Sequence, residues 1–180
     1  IVGGNPYSPG GYAVVMNPNT GGIYALAGVN RNVKTGKITD NALGAINQTY
    51  VMGSVVKGAM VLGALKSGVI TPSNNTLTDE PIKLKGTATK SSWFNKTGGA
   101  NLSLTASDAL EVSSNSYMMK LAMMEGGFNY VPGSALSLSN SIFDKLRSNF
   151  KQFGLGVKTG IDIPGEAKGF EGPANQAHIG

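Results

Sequence analysis

The sequence predicts an α+β fold, in which a β-hairpin is followed by a group of helices. Two short apolar runs, at residues 12–16 and 23–28, flank the turn-forming segment NPNTGG, which is the pattern of a hairpin. Longer apolar runs without strict alternation follow after residue 50 and are typical of buried helices. Because the strands come first and do not alternate with the helices, this order favours α+β over a parallel α/β sheet.

The first half of the chain predicts few regular elements besides the hairpin. Residues 1–11 are rich in Gly and Pro and predict a loop, and residues 29–49 are polar and irregular. The run from Ser54 to Leu65 predicts a buried helix that ends near Gly68 and Pro72. Residues 70–100 are mostly polar, and we expect short strand pieces within TLTDEPIKLKG and SSWFNKTGG.

Three further helices are predicted in the second half. Thr105 followed by Asp108 indicates a capping box that begins a helix ending at the segment SSNS. A helix over YMMKLAMMEGG ends at its glycine pair, and the segment SIFDKLRSNFKQFGLG forms the last helix after a loop. This last segment places apolar residues on one helix face; they are Ile142, Leu146, Phe150 and Phe153.

Composition excludes several kinds of function. The chain has 180 residues, of which 41% are hydrophobic, so it suits one domain or part of a larger one. The net charge is +5, but Lys and Arg are scattered, and we predict no nucleic-acid partner. There is no cysteine, and the single histidine, His178, is expected at the surface, so no metal site and no cofactor are predicted. No apolar run approaches the ~18 residues of a membrane-spanning helix, and any anchor or signal peptide is expected outside this sequence.

The pair Ser54 and Lys57 is the first candidate for chemistry. Residues three apart on a helix lie on one face. A serine becomes a nucleophile when a base takes its proton, and a lysine among apolar residues can have a pKa low enough to do so. First-turn N–H groups would polarise an acyl oxygen, and Gly53 would allow close approach of a substrate. Alternatively, Ser54 caps the helix and Lys57 extends to solvent.

The second candidate is the segment Ser113-Ser114-Asn115. A hydroxyl and an amide brought next to a Ser-Lys pair would relay a proton and hold a substrate amide. The alternative is an ordinary helix cap, for which Ser and Asn are common residues.

Together these motifs resemble the serine penicillin-binding protein and β-lactamase superfamily, which carries S-x-x-K followed by S-x-N. The segments VVMNPNTGGIYALA, YVMGSVVKGAM, LTDEPIKLKG, ALEVSSNSYMMKLA and FGLGVKTGIDIPGE are similar, in the same order, to class B penicillin-binding proteins, especially the 2B type of Gram-positive bacteria. The resemblance implies a β-lactamase/transpeptidase-like fold. Residues 1–180 would form the N-terminal part of the transpeptidase domain, with the first hairpin and the helical lobe.

The resemblance also implies an activity, a peptidoglycan D,D-transpeptidase with an acyl-serine mechanism. Ser54 would attack the D-Ala-D-Ala carbonyl, Lys57 would be the base, and Ser113 would pass the proton to the leaving D-Ala. Asn115 would bind the substrate amide, whereas Ser114 would be structural. β-Lactam antibiotics would acylate Ser54 as substrate mimics.

Further partners are implied only for a longer protein. A class B protein acts at the extracellular face of the cytoplasmic membrane with cell-division or elongation proteins. The chain by itself is expected to associate with a second copy or with a companion fragment.

The third motif of the superfamily, Lys-Thr/Ser-Gly on a strand, has no convincing match here. Lys96-Thr97-Gly98 precedes the S-x-N motif, which is the wrong order. Lys158-Thr159-Gly160 is followed by Pro164, where a central strand should continue. We therefore expect the functional KTG motif, and the later central strands, beyond Gly180.

Several other functions remain open from the sequence. Glu171 and Asn175 resemble the E-x-x-L-N loop of class A β-lactamases, although Ala174 replaces the Leu. A D,D-carboxypeptidase or a β-lactam sensor would share Ser54, Lys57 and the S-x-N motif. Transfer of the acyl group to water or to an amine separates these enzymes. The non-enzymatic alternative is a half-domain with only a structural or association role, which would not be acylated.

Overall fold

The computed structural model describes residues 1–172, and these separate into two compact units. Unit 1 comprises Ile1–Tyr50 and Val157–Phe170. Unit 2 comprises Val51–Gly156 together with the described residues 171–172. The mixture of strands and helices confirms the predicted α+β fold. Asn175 of the possible β-lactamase-like loop and His178, which was expected at the surface, lie outside the described residues.

Unit 1 is built on an antiparallel sheet of β1 (Gly10–Met16), β2 (Ile23–Arg31) and β3 (Ile38–Asp40), in the order β1-β2-β3. The predicted hairpin is confirmed, and both of its strands are longer than the apolar runs indicated. β3 and the short helix α1 (Gly44–Asn47) lie in the stretch that was predicted to be irregular. That prediction was wrong because β3 is exposed along its whole length and has no apolar alternation to reveal it.

Unit 2 carries the longer helices. A 3₁₀ turn, Gly53–Val56, leads directly into α2 (Lys57–Ser67). A two-stranded antiparallel sheet follows, and then three more helices. These elements are β4 (Leu77–Asp79), β5 (Leu102–Leu104), α3 (Ala106–Glu111), α4 (Asn115–Glu125) and α5 (Ser141–Lys151).

The core of unit 2 lies where α2 packs against α4. Tyr117 and Leu121 of α4 are completely buried, and Ala64 of α2 is almost so. A smaller cluster surrounds Ile142 and Phe143 at the start of α5. Burial of these side chains supplies most of the free energy that holds the helices together, and it keeps the N-terminal ends of α2 and α4 in fixed positions.

Several predicted boundaries in unit 2 need correction. The helix predicted from Ser54 begins as a 3₁₀ turn, in which the Val55 side chain is 76% exposed. α4 begins at Asn115, two residues before the predicted start, because Ser114 caps it. Phe153 lies beyond the end of α5 and is half exposed, so it does not extend the apolar face of that helix. In residues 1–172 no helix is long and apolar enough to cross a membrane.

Candidate active site

The 3₁₀ turn before α2 presents Ser54 at the surface of unit 2. Gly53 begins this turn with a φ of +58°, a conformation that glycine adopts without strain. No heavy atom lies within 4 Å of the position where a Cβ would stand on Gly53. The Ser54 side chain is exposed, so its hydroxyl is open to a reactant from solvent.

Lys57, the first residue of α2, is buried, with only 9% of its surface exposed. Its Nζ donates three hydrogen bonds, at 2.8 Å to the carbonyl oxygen of Ser113, at 3.0 Å to Ser113 Oγ and at 2.7 Å to Asn115 Oδ1. All three ammonium hydrogens are thus used. The lysine therefore points into the protein rather than to solvent, which contradicts the alternative interpretation of Lys57 as a surface side chain.

Ser113 connects the lysine to the candidate nucleophile. Its Oγ accepts from Lys57 Nζ at 3.0 Å and donates to Ser54 Oγ at 3.1 Å. The contacts form a continuous path, Lys57 Nζ to Ser113 Oγ to Ser54 Oγ, along which a proton can move. The hydrogen bonds of Lys57 Nζ go to Ser113 and Asn115, so the lysine reaches Ser54 through the second serine.

The backbone of Ser113 is strained. Its φ of +55° makes it the single non-glycine residue with positive φ among residues 1–172. Such conformations cost roughly 1–3 kcal/mol and persist where the surrounding structure imposes them, often at functional sites. The left-handed turn ends α3 and lets α4 begin at once, which brings the Ser113 side chain over Ser54.

Asn115 lies in the first turn of α4 and uses both ends of its side-chain amide. Oδ1 accepts from Lys57 Nζ, and one Nδ2 hydrogen is donated to the carbonyl oxygen of Ser91 at 3.3 Å. The second Nδ2 hydrogen remains available, since a carboxamide carries two. Asn115 thus has one side-chain donor left for a further acceptor.

Two opposing effects act on the Lys57 ammonium. Burial lowers the pKa of Lys57 because the charged form loses hydration, and the negative charge of Asp79 partly offsets this by raising it. The net pKa lies below the usual value for lysine. A lysine base needs this direction of shift, because its neutral form must be accessible near neutral pH.

A group of buried polar residues behind the site was not identified from the sequence. Ser114, which the sequence suggested to be structural, is fully buried and caps α4 by accepting the N–H of Tyr117 at 3.0 Å. Ser92, Asn95 and Asp79 lie beside it, equally buried. These residues come from polar, weakly patterned segments, so only the fold brings them to the S-x-N turn.

An exposed aromatic residue also lies beside this turn. Trp93 is 68% exposed, packs edge-on against Phe94 and donates its ring N–H to the carbonyl oxygen of Val112 at 2.9 Å. The hydrogen bond ties the indole to the end of α3, and most of the ring remains open to solvent.

Neither copy of the K-T-G sequence lies in a strand. Lys96-Thr97-Gly98 belongs to a loop of unit 2. In unit 1, Thr159 donates both its N–H and its hydroxyl to the Glu166 carboxylate at 2.6 Å, which lowers the pKa of Glu166. The N–H and hydroxyl donors of Thr159 in this second copy are thus already occupied.

Comparison with known proteins gives a consistent result. The family model described as the penicillin-binding protein transpeptidase domain matches residues 11–179. Penicillin-binding protein 2B of Streptococcus pneumoniae is 42% identical over 170 residues, covering 93% of this chain and 25% of that protein. Penicillin-binding protein 2A of Bacillus subtilis is 43% identical over 164 residues, or 89% of this chain and 22% of that protein.

Solved structures agree with the sequence comparison. The structure of penicillin-binding protein 2B from Streptococcus pneumoniae strain R6 matches with a TM-score of 0.87 and 41% identity, over 96% of this chain and 28% of that one. The present chain therefore spans about a quarter of the length of these relatives.

Proposed function

Because this chain belongs to the penicillin-binding protein transpeptidase family, we propose that the protein carrying it is a peptidoglycan D,D-transpeptidase that works through an acyl-serine intermediate. The observation that supports this most strongly is the hydrogen-bonded path from the buried Lys57 through Ser113 to the exposed Ser54. A hydroxyl that is open to solvent and connected to a desolvated lysine is an activated nucleophile.

The first half of the reaction acylates the enzyme. Ser54 Oγ forms a bond to the carbonyl carbon of the penultimate D-Ala, and its proton passes through Ser113 to a neutral Lys57. The peptide C–N bond then breaks, and the terminal D-Ala leaves as an amine after it receives the proton back through Ser113. An ester on Ser54 remains.

The second half transfers the acyl group. An amine of a second stem peptide attacks the ester carbonyl, its proton is taken up through Ser113, and Ser54 leaves with a proton restored. The new amide is the peptidoglycan cross-link. A β-lactam would enter at the first step, but its leaving nitrogen stays tethered to the acyl group after the ring opens.

Two residues are assigned to substrate binding. Asn115 is proposed to donate its free Nδ2 hydrogen to the carbonyl oxygen of the substrate's side-chain amide, since the other polar groups of its side chain are engaged. Gly53 leaves open space next to Ser54, which allows the substrate to approach the nucleophile.

The setting of the protein follows from the same family. We propose that the chain forms the N-terminal part of a transpeptidase domain that acts outside the cytoplasm at the membrane surface, with division or elongation proteins. In this proposal the substrate carboxylate is bound by a KTG motif other than the two copies here, because neither of these lies in a strand.

The proposal is tested by acylation of the full-length protein with a fluorescent penicillin. Intact mass and peptide mapping should show one adduct, on Ser54. Ser54→Ala should abolish labelling, and Ser73→Ala, a change at an exposed serine of the same unit, should leave it intact. An adduct on another residue, or no adduct on a folded protein, would contradict the proposal and favour a non-catalytic role.

The fate of the acyl group separates the related activities. With a stem-peptide substrate and an amine acceptor, a transpeptidase yields a cross-linked product, whereas a carboxypeptidase or a β-lactamase-like enzyme yields only the hydrolysed acid. For a transpeptidase, the ratio of cross-linked product to hydrolysed acid should rise with the concentration of the acceptor amine.

A further inference from the structure

A buried carboxylate lies behind the candidate active site and makes no hydrogen bond to Ser54, Lys57 or the Ser113 side chain. Asp79, the last residue of β4, is completely buried. The hydroxyls of Ser92 and Ser114 each donate to its Oδ2 at 2.5 Å, and Asn95 Nδ2 donates to Oδ1 at 3.2 Å. Within the described part of the chain, no lysine or arginine forms an ion pair with it. Burying a carboxylate with only neutral partners is costly, so its presence calls for a reason beyond packing.

The two hydroxyls connect this carboxylate to the first turn of α4. Ser92 Oγ accepts the N–H groups of Asn115 at 2.9 Å and of Ser116 at 3.2 Å, and Ser114 Oγ accepts that of Tyr117 at 3.0 Å. These are backbone donors that have no partner inside the helix. Each hydroxyl has a single proton. Because both protons are directed to Asp79, the oxygen lone pairs remain free to face α4.

The first turn of α4 in turn positions the residues of the candidate site. Asn115 contacts Lys57 from this turn, and Ser113 comes two residues earlier with its strained φ of +55°. Strain of this kind needs neighbours that impose it. The hydrogen bonds of Ser92 and Ser114 thus hold the turn that directly follows Ser113.

We propose that Asp79 is a positioning residue for acylation of Ser54, and that its carboxylate acts through Ser92 and Ser114 to hold the turn containing Ser113. This inference rests on the proposed function. A carboxylate is suited to the task because it only accepts hydrogen bonds. An amide of the same shape would present its NH2 group either to both hydroxyls, which share one oxygen of Asp79, or to Asn95 Nδ2, which is itself a donor. The carboxylate also lies behind the positive N-terminal end of α4, a favourable arrangement.

The test is the variant Asp79→Asn in the full-length protein. The second-order rate of Ser54 acylation by a fluorescent penicillin should fall at least about tenfold, within the ~10²-fold loss that a small misplacement of reacting groups can cause. The rising limb of the pH–rate profile should also move to lower pH, because loss of the negative charge removes the effect that raises the pKa of Lys57. Ser113 and Asn115, which also face Lys57, are uncharged.

Matched variants separate positioning from loss of stability. Asn95→Ala removes a partner of the same carboxylate that does not contact α4, so it should lower the unfolding temperature without shifting the pH limb. Ser92→Ala should slow acylation as Asp79→Asn does, and Ser92→Thr, which keeps the hydroxyl, should recover most of the rate. If Asp79→Asn does not fold, the comparison of Ser92→Ala with Ser92→Thr tests the positioning role instead.

The outcomes distinguish this inference from the proposed function. If the wild-type protein is not acylated on Ser54, the proposed function fails and the inference fails with it. If the wild type is acylated and Asp79→Asn and Ser92→Ala react at its rate with an unshifted pH limb, the positioning role alone is overturned. The positioning role is also overturned if Asp79→Asn and Ser92→Ala are no slower than Asn95→Ala when the three variants have equal unfolding temperatures.

Discussion

At the scale of single residues, the candidate chemistry depends on a lysine that is turned inward. The Lys57 ammonium contacts Ser113 and Asn115, and burial lowers its pKa. The S-x-x-K spacing predicted a serine and a lysine on one side of a helix. In the structure the serine lies in a 3₁₀ turn, and a second serine bridges the two side chains.

Replacing the lysine should remove most of the reactivity. Lys57→Met keeps a side chain of similar length and replaces the amine with an apolar end that cannot accept a proton. Penicillin acylation should therefore slow by ~10²–10⁴-fold, as expected for loss of a general base. Lys66→Met, at an exposed position near the end of the same helix, is the matched control and should react at the wild-type rate. Equal rates for the two variants would exclude Lys57 as the base.

The acylation rate should also depend on pH in a defined direction. Below its pKa Lys57 is protonated and cannot take the proton of Ser54, so the rate should fall about tenfold per pH unit on the acidic side. Because burial lowers this pKa, the midpoint should lie below the value of an exposed lysine. A rate that is independent of pH across the whole range in which the protein is folded would contradict this assignment.

The strained serine allows stability and activity to be separated. Ser113→Gly and Ser113→Ala both remove the hydroxyl that links Lys57 to Ser54, so both should slow acylation strongly. Glycine adopts a positive φ freely, whereas alanine keeps the strain, and we expect the glycine variant to be the more stable by ~1 kcal/mol in thermal unfolding. Wild-type reactivity in either variant would show that the hydroxyl is not part of the proton path.

At the scale of elements, local signals correctly predicted the start of α3 and the glycine residues that end α2 and α4. The capping box of α3 is present as expected, with Thr105 Oγ1 accepting from the N–H of Asp108 and the Asp108 carboxylate accepting from the N–H of Thr105. Such local signals involve residues three apart and need no tertiary contacts. β3 and β5 were not predicted, because each has three residues, too few to show an alternating pattern.

The capping box gives a stability prediction at this scale. Thr105→Ala should destabilise unit 2 by about 1 kcal/mol in chemical unfolding at neutral pH. Ser107→Ala, an exposed change in the same helix, should alter it by less than about 0.5 kcal/mol.

The effect of the cap should shrink in acid. Hydrogen bonds from Thr105 lower the pKa of Asp108 in the folded state, so this stabilisation is present above the unfolded pKa and is lost as the pH falls through the folded one. If the two variants were equally stable at every pH, the cap would have no energetic role.

At the scale of the whole molecule, the sheet of unit 1 exposes a large amount of apolar surface. In the described part of the chain β1 pairs on one side only, with β2, and the strands leave apolar side chains open to solvent. They are Val14, Val15, Met16, Ile23 and Tyr24. Exposed apolar patches and free strand edges are typical of surfaces that associate.

We therefore expect the isolated chain to associate as its concentration rises. Val15, which is 55% exposed on the edge strand, is the position to change, since a charge on an edge opposes pairing. Val15→Lys should reduce the association seen in sedimentation velocity, and Lys34→Glu, a charge change elsewhere in unit 1, should not. A wild-type chain that stays monomeric at high concentration would contradict the prediction.

Local spacing and periodicity were enough to predict the fold class, the first hairpin, the main helices and the two motifs that indicate acyl-serine chemistry. How the two motifs meet depends on tertiary packing. Lys57 and Ser113 are far apart in the chain, and burial of α2 against α4 brings them together. Asp79 lies in a polar segment without periodicity, so only the packing of β4 behind α4 revealed its contacts. Hydrogen bonds between distant segments leave no local pattern in a sequence, and for that reason the positioning of the site became visible only in the folded chain.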